Sequence, residues 1–394
     1  MNNPNSLSTR LPEFIKSLYP WAHGHQAKCF VAFVGALLQA KSCMQTKLAS
    51  EFENKKAAVK RLSRFLHNDR LDTAALAAGV AQAFVAHLAR QVCVRIALDW
   101  TVENDIHTLV ATAILGRRGV PLYWRSYAAG TFKNHRSQLE RAFCQRLFQV
   151  VLKDVARHRF IFTADRGFSD IQLFDLLDKL KVAFVIRTKD NVKIQWRGEW
   201  CKLSRVKLPG NTRTRHLGRV WYCARSPRRY YLTQRRARNR QGGWGLWQLV
   251  SNRNYTALQA KQEYERRWGC ECGFRDAKHW RGLSEAKIEN AAAFARMLTL
   301  AAIALLLLAI IGCAFLALDQ RARLRLQRIC ADRGTHCEAS LFAAVLHLLK
   351  HDVGLWEYLA RRSQRRTRRG RRRLRLQLIT RNSEAKIPTL KVTP

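Results

Sequence analysis

Two aspartates and one glutamate are the residues most able to do chemistry in this chain. Asp99 closes an apolar run, VCVRIALDWT (Val92–Thr101), and Asp165 closes another, RFIFTADRGFSD (Arg159–Asp170). Both runs have the composition of buried strands, which predicts each aspartate at a strand's C-terminal end, facing a cleft that spares an ionised carboxylate full burial. If the two strands are neighbours, the carboxylates converge. Hard oxygen ligands at one point suit Mg²⁺, with Mn²⁺ as a substitute. A third carboxylate completes a set that can hold two ions for in-line phosphoryl displacement. Glu271 supplies it. Tyr264, Arg267, Glu271, Arg275 and Lys278 recur at helical spacing, which predicts one face of a single helix running from Ala257 to about Lys278. On that face a carboxylate is flanked one turn away by cations suited to DNA phosphates. Taken alone, an Arg267–Glu271–Arg275 ladder reads first as a salt-bridged surface helix; Asp99 and Asp165 before it in an α/β context turn the reading toward a metal ligand.

The elements that must position these residues follow the same texture. IHTLVATAIL (Ile106–Leu115) and VPLYWRSY (Val120–Tyr127) read as two further strands in a meander with the first. A helix over 135–155, the Asp165 strand, the helix IQLFDLLDKL and the strand KVAFVIRT (Lys181–Thr188) complete an α/β order with a mixed sheet. Residues 191–250 break the rhythm with short alternating segments, a β-rich insertion. From Arg187 to Arg240 there are 17 Lys or Arg, interleaved with Trp196, Trp200, Trp221, Trp244 and Trp247. Charge for phosphates and flat rings for exposed bases suit distorted DNA, although some of these indoles belong to the core of the β-layer.

The N-terminal 90 residues read as helical. FVAFVGALLQA (Phe30–Ala40) is apolar, and Gln45–Asp72 carries helix-period charge with Leu48, Phe52, Val59, Leu62 and Phe65 on a core face. A break near Asn54 makes either a helix-turn-helix, with Lys56, Lys60 and Arg64 toward DNA, or an ordinary bundle with a basic face. Across the chain, 71 Lys and Arg oppose 28 Asp and Glu, a formal charge of +43. Such an excess calls for a polyanion, and ten arginines in Arg361–Arg375 add a nonspecific phosphate binder. Eleven cysteines without a framework point to reduced thiols; the CxC at Cys270 and Cys272, and the Cys330–His336–Cys337 grouping, lack a recognisable zinc spacing. Met297–Leu318 is 22 residues without a charge. By length it spans a bilayer; beside the Glu271 helix it is expected to bury against the sheet or at a dimer contact instead.

YERRWGCECGFRDAK (Tyr264–Lys278) matches the pattern Y-x2-R-x3-E-x6-K, and with LDWT around Asp99 and ADRGFSD around Asp165 it resembles bacterial insertion-sequence DDE transposases of the insertion-sequence-four family. The resemblance covers roughly residues 45–300. It implies an RNase H-like mixed-sheet core and a division into a helical DNA-binding domain (1–90), a core in two parts (91–190 and 251–320), the β-rich insertion (191–250) and a C-terminal region with the Arg-rich tail (321–394). It implies Asp99, Asp165 and Glu271 as catalytic metal ligands, and Tyr264, Arg267, Arg275, Lys278 and Arg166 at the DNA. It also implies cut-and-paste transposition: strand cleavage, hairpin formation and strand transfer at terminal inverted repeats and target DNA, by a homodimer on the DNA ends in the bacterial cytoplasm, with no small-molecule cofactor. A tryptophan stacks on a flipped base in that scheme; WQLVSN (Trp247–Asn252) makes Trp247 the candidate and Trp244 the second. The alternatives are a non-catalytic transposase-derived regulator and a nuclease of the same fold. The Arg-rich tail is not part of the resemblance.

Overall fold

Among the described residues, five helices precede the first strand: α1 (Leu7–Leu18), α2 (Gly24–Ala40), α3 (Gln45–Ala49), α4 (Lys55–Leu66) and α5 (Thr73–Ala86). The computed structural model describes residues 7–87, 93–116, 118–131, 135–238, 243–275, 282–283 and 286–316, with 342, 345 and 346 of the C-terminal region. The apolar run of α2 buries Phe30, Phe33, Val34, Leu37 and Leu38. The break at Asn54 has a local cause: its side chain accepts the Ala57 N–H at 2.9 Å and caps α4. Helix α4 then buries Ala58, Leu62, Phe65 and Leu66, while Lys56, Lys60 and Arg64, one turn apart, stay exposed. Leu48 is buried as expected, and Phe52 and Val59 are half-buried.

Strands β1 (Val94–Glu103), β2 (Ile106–Leu115) and β3 (Arg118–Ala128) form the antiparallel meander. Asn104 and Asp105 turn the first hairpin with φ of 49° and 59°, the left-handed region that Asn and Asp tolerate. Helix α6 (Arg136–Arg146) leads toward β4 (Phe160–Ala164), and α7 (Ile171–Lys179) leads to β5 (Ala183–Arg187). Both strands run parallel to β1, as crossover connections require.

The insertion comprises β6 (Lys193–Trp196), β7 (Glu199–Lys202), β8 (Thr214–Tyr222), β9 (Arg228–Arg238) and β10 (Trp244–Ser251). It is not a detached layer. Strand β10 pairs antiparallel with β5, Leu249 opposite Arg187, so ten strands make one sheet in the order β3-β2-β1-β4-β5-β10-β9-β8-β6-β7. The exposed edge that β5 would otherwise present is thereby covered.

Helices α8 (Ala257–Arg266), α9 (Trp268–Arg275) and α10 (Ala291–Leu316) follow. Helix α10 contains the uncharged segment as far as Leu316, the last of its described residues, and starts six residues before Met297, taking in Arg296. It packs against β3, α2, α5 and α4, and 94% of its most apolar window is buried inside the fold. Trp124 of β3 donates its indole N–H to the Ala295 carbonyl at 2.9 Å. Arg296, buried, donates to the Leu66 carbonyl at the end of α4 (2.7 Å) and to Asp69 (2.9 Å). A cation at a helix C-terminus is stabilising, so the one charge in this apolar helix ties the N-terminal helices to the core. The apolar segment is thus a core helix, and its residues up to Ile311 are apolar because neighbours surround them.

Candidate active site

The parallel register of β1 and β4 runs from Val94 opposite Phe160 to Leu98 opposite Ala164. The next position on each strand is Asp99 and Asp165, so the two aspartates stand side by side at the strand spacing of roughly 4.8 Å. Asp165 lies just past the end of β4, as the sequence suggests. Asp99 does not end its strand: β1 continues to Glu103 because its hairpin partner β2 pairs with it through Ile106. Beyond Leu98, where its pairing with β4 stops, β1 goes on paired with β2.

Each aspartate is oriented by backbone. Asp99 accepts the Trp100 N–H at 2.9 Å, and Asp165 accepts the Gly167 N–H at 2.8 Å, capping the short turn Arg166–Phe168. Asp99 is 22% exposed. Burial pushes its carboxyl up to about 6; Arg267 opposes that shift, while the charges of Asp165 and Glu271 add to it. The charges of Asp165 and Glu271 are thus felt at Asp99.

Glu271 reaches the site from α9, but not on a continuous helix. The helix predicted over 257–278 is interrupted at Arg267, which separates α8 from α9. Arg267 donates to Asp99 Oδ2 at 3.2 Å and to Glu271 Oε1 at 2.7 Å, and is itself only 13% exposed. Burial disfavours its charge, but Tyr264, Asp99 and Glu271 more than restore it. Arg267 is thus a bridge between carboxylates rather than an outward phosphate clamp. Tyr264 is buried against the edge of Trp247, centroids 5.1 Å apart. Trp247 is half-buried in that contact, with the Arg187 guanidinium 6.0 Å from its ring, whereas Trp244 is 61% exposed. Arg275 lies in the last turn of α9; Lys278 and the Arg-rich tail fall outside the described residues, as do Cys330, His336 and Cys337.

Glycines set the seat of α9. A Cβ on Gly273 would lie 2.8–3.1 Å from backbone atoms of Gly119 on β3, and one on Gly119 would lie 2.9 Å from the Gly269 carbonyl. Helix and strand therefore touch backbone to backbone, which only glycine permits. Beside them Cys270 is buried with Ala97 and Ile114, its thiol 3.4 Å from the Thr112 hydroxyl. The CxC pair is packing: among the described residues no group of three or more His, Cys, Asp or Glu is gathered as a metal-holding set.

Other residues around the site were not foreseen. Glu140 of α6, buried, accepts the Trp100 indole N–H at 2.7 Å and Arg136 Nε at 2.9 Å. Burial raises its carboxyl above the usual range against both bonds. The i,i+4 spacing of Arg136 and Glu140 is legible; the bond to Trp100, forty residues away, is not. Ser169 bonds Thr188 (2.9 Å), just past β5, and Tyr222 of β8 (3.0 Å), which ties the segment that follows Asp165 to the insertion. Arg166 is exposed beside Asp165.

Residues 131–307 match a family model described as a transposase DDE domain. No curated protein matches the chain. The match includes Asp165 and Glu271 and begins after Asp99. The fold is a mixed α/β, RNase H-like arrangement, and the similarity supports a DDE transposase, a class whose chemistry implies divalent metal and DNA.

Proposed function

We propose that this chain is a cut-and-paste transposase that uses Asp99, Asp165 and Glu271 to hold divalent cations and cleave and rejoin DNA. The observation that carries the reading is the register that sets Asp99 beside Asp165, with Glu271 joined to Asp99 through Arg267. The chemistry of the donor set fits, since three carboxylates offer hard oxygens, and a cation would relieve the burial and like-charge repulsion that raise Asp99; among the described residues the three are not drawn together as a metal-holding group, so a bound ion would have to gather them. When bound, Mg²⁺ or Mn²⁺ supplies activation of water and charge stabilisation in phosphoryl transfer. The residues of the chain do the rest. Arg267 fixes the helix carboxylate relative to the strand carboxylate. Arg166 and Arg275, with Lys278, bind phosphates around the cut. The half-buried Trp247, held against Tyr264, is the candidate to stack on a base displaced in a hairpin step; the exposed Trp244 is the second choice.

The test is supercoiled plasmid with Mg²⁺, followed by an end-labelled duplex of the inverted repeat flanking the gene. Nicked product is expected, then hairpin and joined products, all lost in Asp99→Asn, Asp165→Asn and Glu271→Gln. Trp247→Ala is expected to spare the nick and slow the hairpin. Nicking without hairpin or joining would mean a nuclease, and binding without nicking a regulator.

Lys56, Lys60 and Arg64 line the exposed side of α4 and are proposed to contact the DNA backbone. Their triple alanine variant is expected to lower the slope of log K against log salt by about 0.9 per lost phosphate contact, up to roughly 2.7. Fluorescence anisotropy on a short duplex reads it; an unchanged slope would remove α4 from the interface.

A further inference from the structure

On the transposase reading above, we infer that Arg136 is a DNA-contacting residue of the active site, holding a backbone phosphate across the gap that Gly167 leaves beside Asp165. The geometry starts at Gly167. A Cβ placed there would lie 3.0 Å from Asp165 Oδ1 and 3.9 Å from Arg136 Nη2. The carboxylate and the guanidinium thus flank one small space, which any side chain at 167 would fill. Arg136 is built to stay at that rim. Its Nε is anchored on buried Glu140 at 2.9 Å, its guanidinium carbon lies 5.2 Å from the Trp100 ring centroid, and Glu140 is held in turn by the Trp100 indole. Half of the Arg136 side chain is exposed. An arginine stacked and anchored through Nε keeps its terminal nitrogens directed outward, and loses little freedom on binding a planar or tetrahedral oxyanion.

Trp100 follows Asp99 on β1, so the anchor of Arg136 is attached to one catalytic carboxylate and its free end lies at the turn of the other. A cation there suits a strand whose phosphate is to be cut. A purely internal role is the competing account: Arg136 would serve only to neutralise buried Glu140.

Single-turnover nicking of a supercoiled plasmid in Mg²⁺ separates the two. Arg136→Ala is expected to slow nicking about 10- to 100-fold, with Arg136→Lys recovering part, since a point charge still meets phosphate. The deciding variant is Arg136→Ala with Glu140→Gln, in which no buried carboxylate is left unpaired and the amide oxygen that replaces it still accepts from Trp100. If Arg136 touches DNA, the double variant stays as slow as Arg136→Ala, and duplex binding in Ca²⁺ loses about 0.9 of its salt slope, one phosphate. Recovery of nicking in the double variant, or an unchanged slope with unchanged nicking in Arg136→Ala, overturns the inference. Failure of the unaltered protein to nick would instead overturn the transposase reading, while the slope comparison would still report on Arg136.

Discussion

Asp99→Asn is expected to melt higher than the unaltered protein at pH 7.5 in EDTA and to have lost nicking. The carboxyl of Asp99 is raised from 3.8 to about 6, first by burial and then by the charges of Asp165 and Glu271, which outweigh Arg267. A raised folded-state value means that the folded chain binds this proton more tightly than the unfolded chain. The associated stability is full below the unfolded value near 4 and is lost as pH rises through 6. At neutral pH the ionised carboxylate therefore opposes folding, by up to about 3 kcal/mol for a shift of this size. Asparagine keeps the shape and one acceptor oxygen for Arg267 and removes the charge. The gain is expected to be a few degrees, about 2–4 °C per kcal/mol in a large domain, and to vanish by about pH 4.5. Mg²⁺ or Mn²⁺ is expected to raise the melting temperature of the unaltered protein at pH 7.5, less at pH 5, and not at all in Asp99→Asn. Loss of a ligand worth several kcal/mol of transition-state stabilisation slows nicking by at least about 10³-fold. Scanning fluorimetry from pH 4.5 to 8 checks the stability arm. A variant that melts lower at every pH would make Asp99 a structural partner of Arg267 and not a metal ligand.

The parts of the site that were legible in sequence are those set by local pattern. The apolar runs before Asp99 and Asp165 formed strands because their composition suits burial on both faces, and Asn54 broke the N-terminal helices because its side chain caps α4. The parts that were not legible depend on distant partners. How far β1 extends past Asp99 is decided by its pairing with β2, and where β4 stops is decided separately. The interruption at Arg267 accompanies bonds to Asp99, 168 residues earlier, and to Glu271. Spacing alone treats Tyr264 to Lys278 as one face and assigns Arg267 outward. Likewise, uncharged length cannot distinguish a membrane span from α10, whose environment is made by α2, α4, α5 and β3. The β-rich insertion was legible as strands, but its fusion to the core sheet through β10 and β5 was not, since antiparallel pairing across sixty residues leaves no periodic trace.

Gly273 is a position where a single methyl group is expected to slow the reaction without touching a charged residue. Glu271 is placed by the seat of α9 on β3, and that seat is a backbone contact. A Cβ at Gly273 meets the Gly119 oxygen, Cα and carbonyl carbon at 2.8, 2.9 and 3.1 Å, none of which can rotate away. The helix must move off the strand, at a cost of about 1–3 kcal/mol for an overpacked contact. The displacement carries Glu271 away from Asp99 and Asp165, and misplacement by about 1 Å can cost about 100-fold in rate. Gly273→Ala is therefore expected to slow nicking by about that factor while lowering the melting temperature only a few degrees and leaving duplex affinity in Ca²⁺ unchanged. Gly273→Val, with a branched Cβ, is expected to be worse on both counts. Gly210 is the control, because nothing lies within 4 Å of a Cβ there, and Gly210→Ala is expected to leave rate and melting unchanged. The measurement is single-turnover nicking beside scanning fluorimetry on the same preparations. If Gly273→Ala nicks at the normal rate, α9 does not need its glycine contact to place Glu271, and the carboxylate reaches the site by another route.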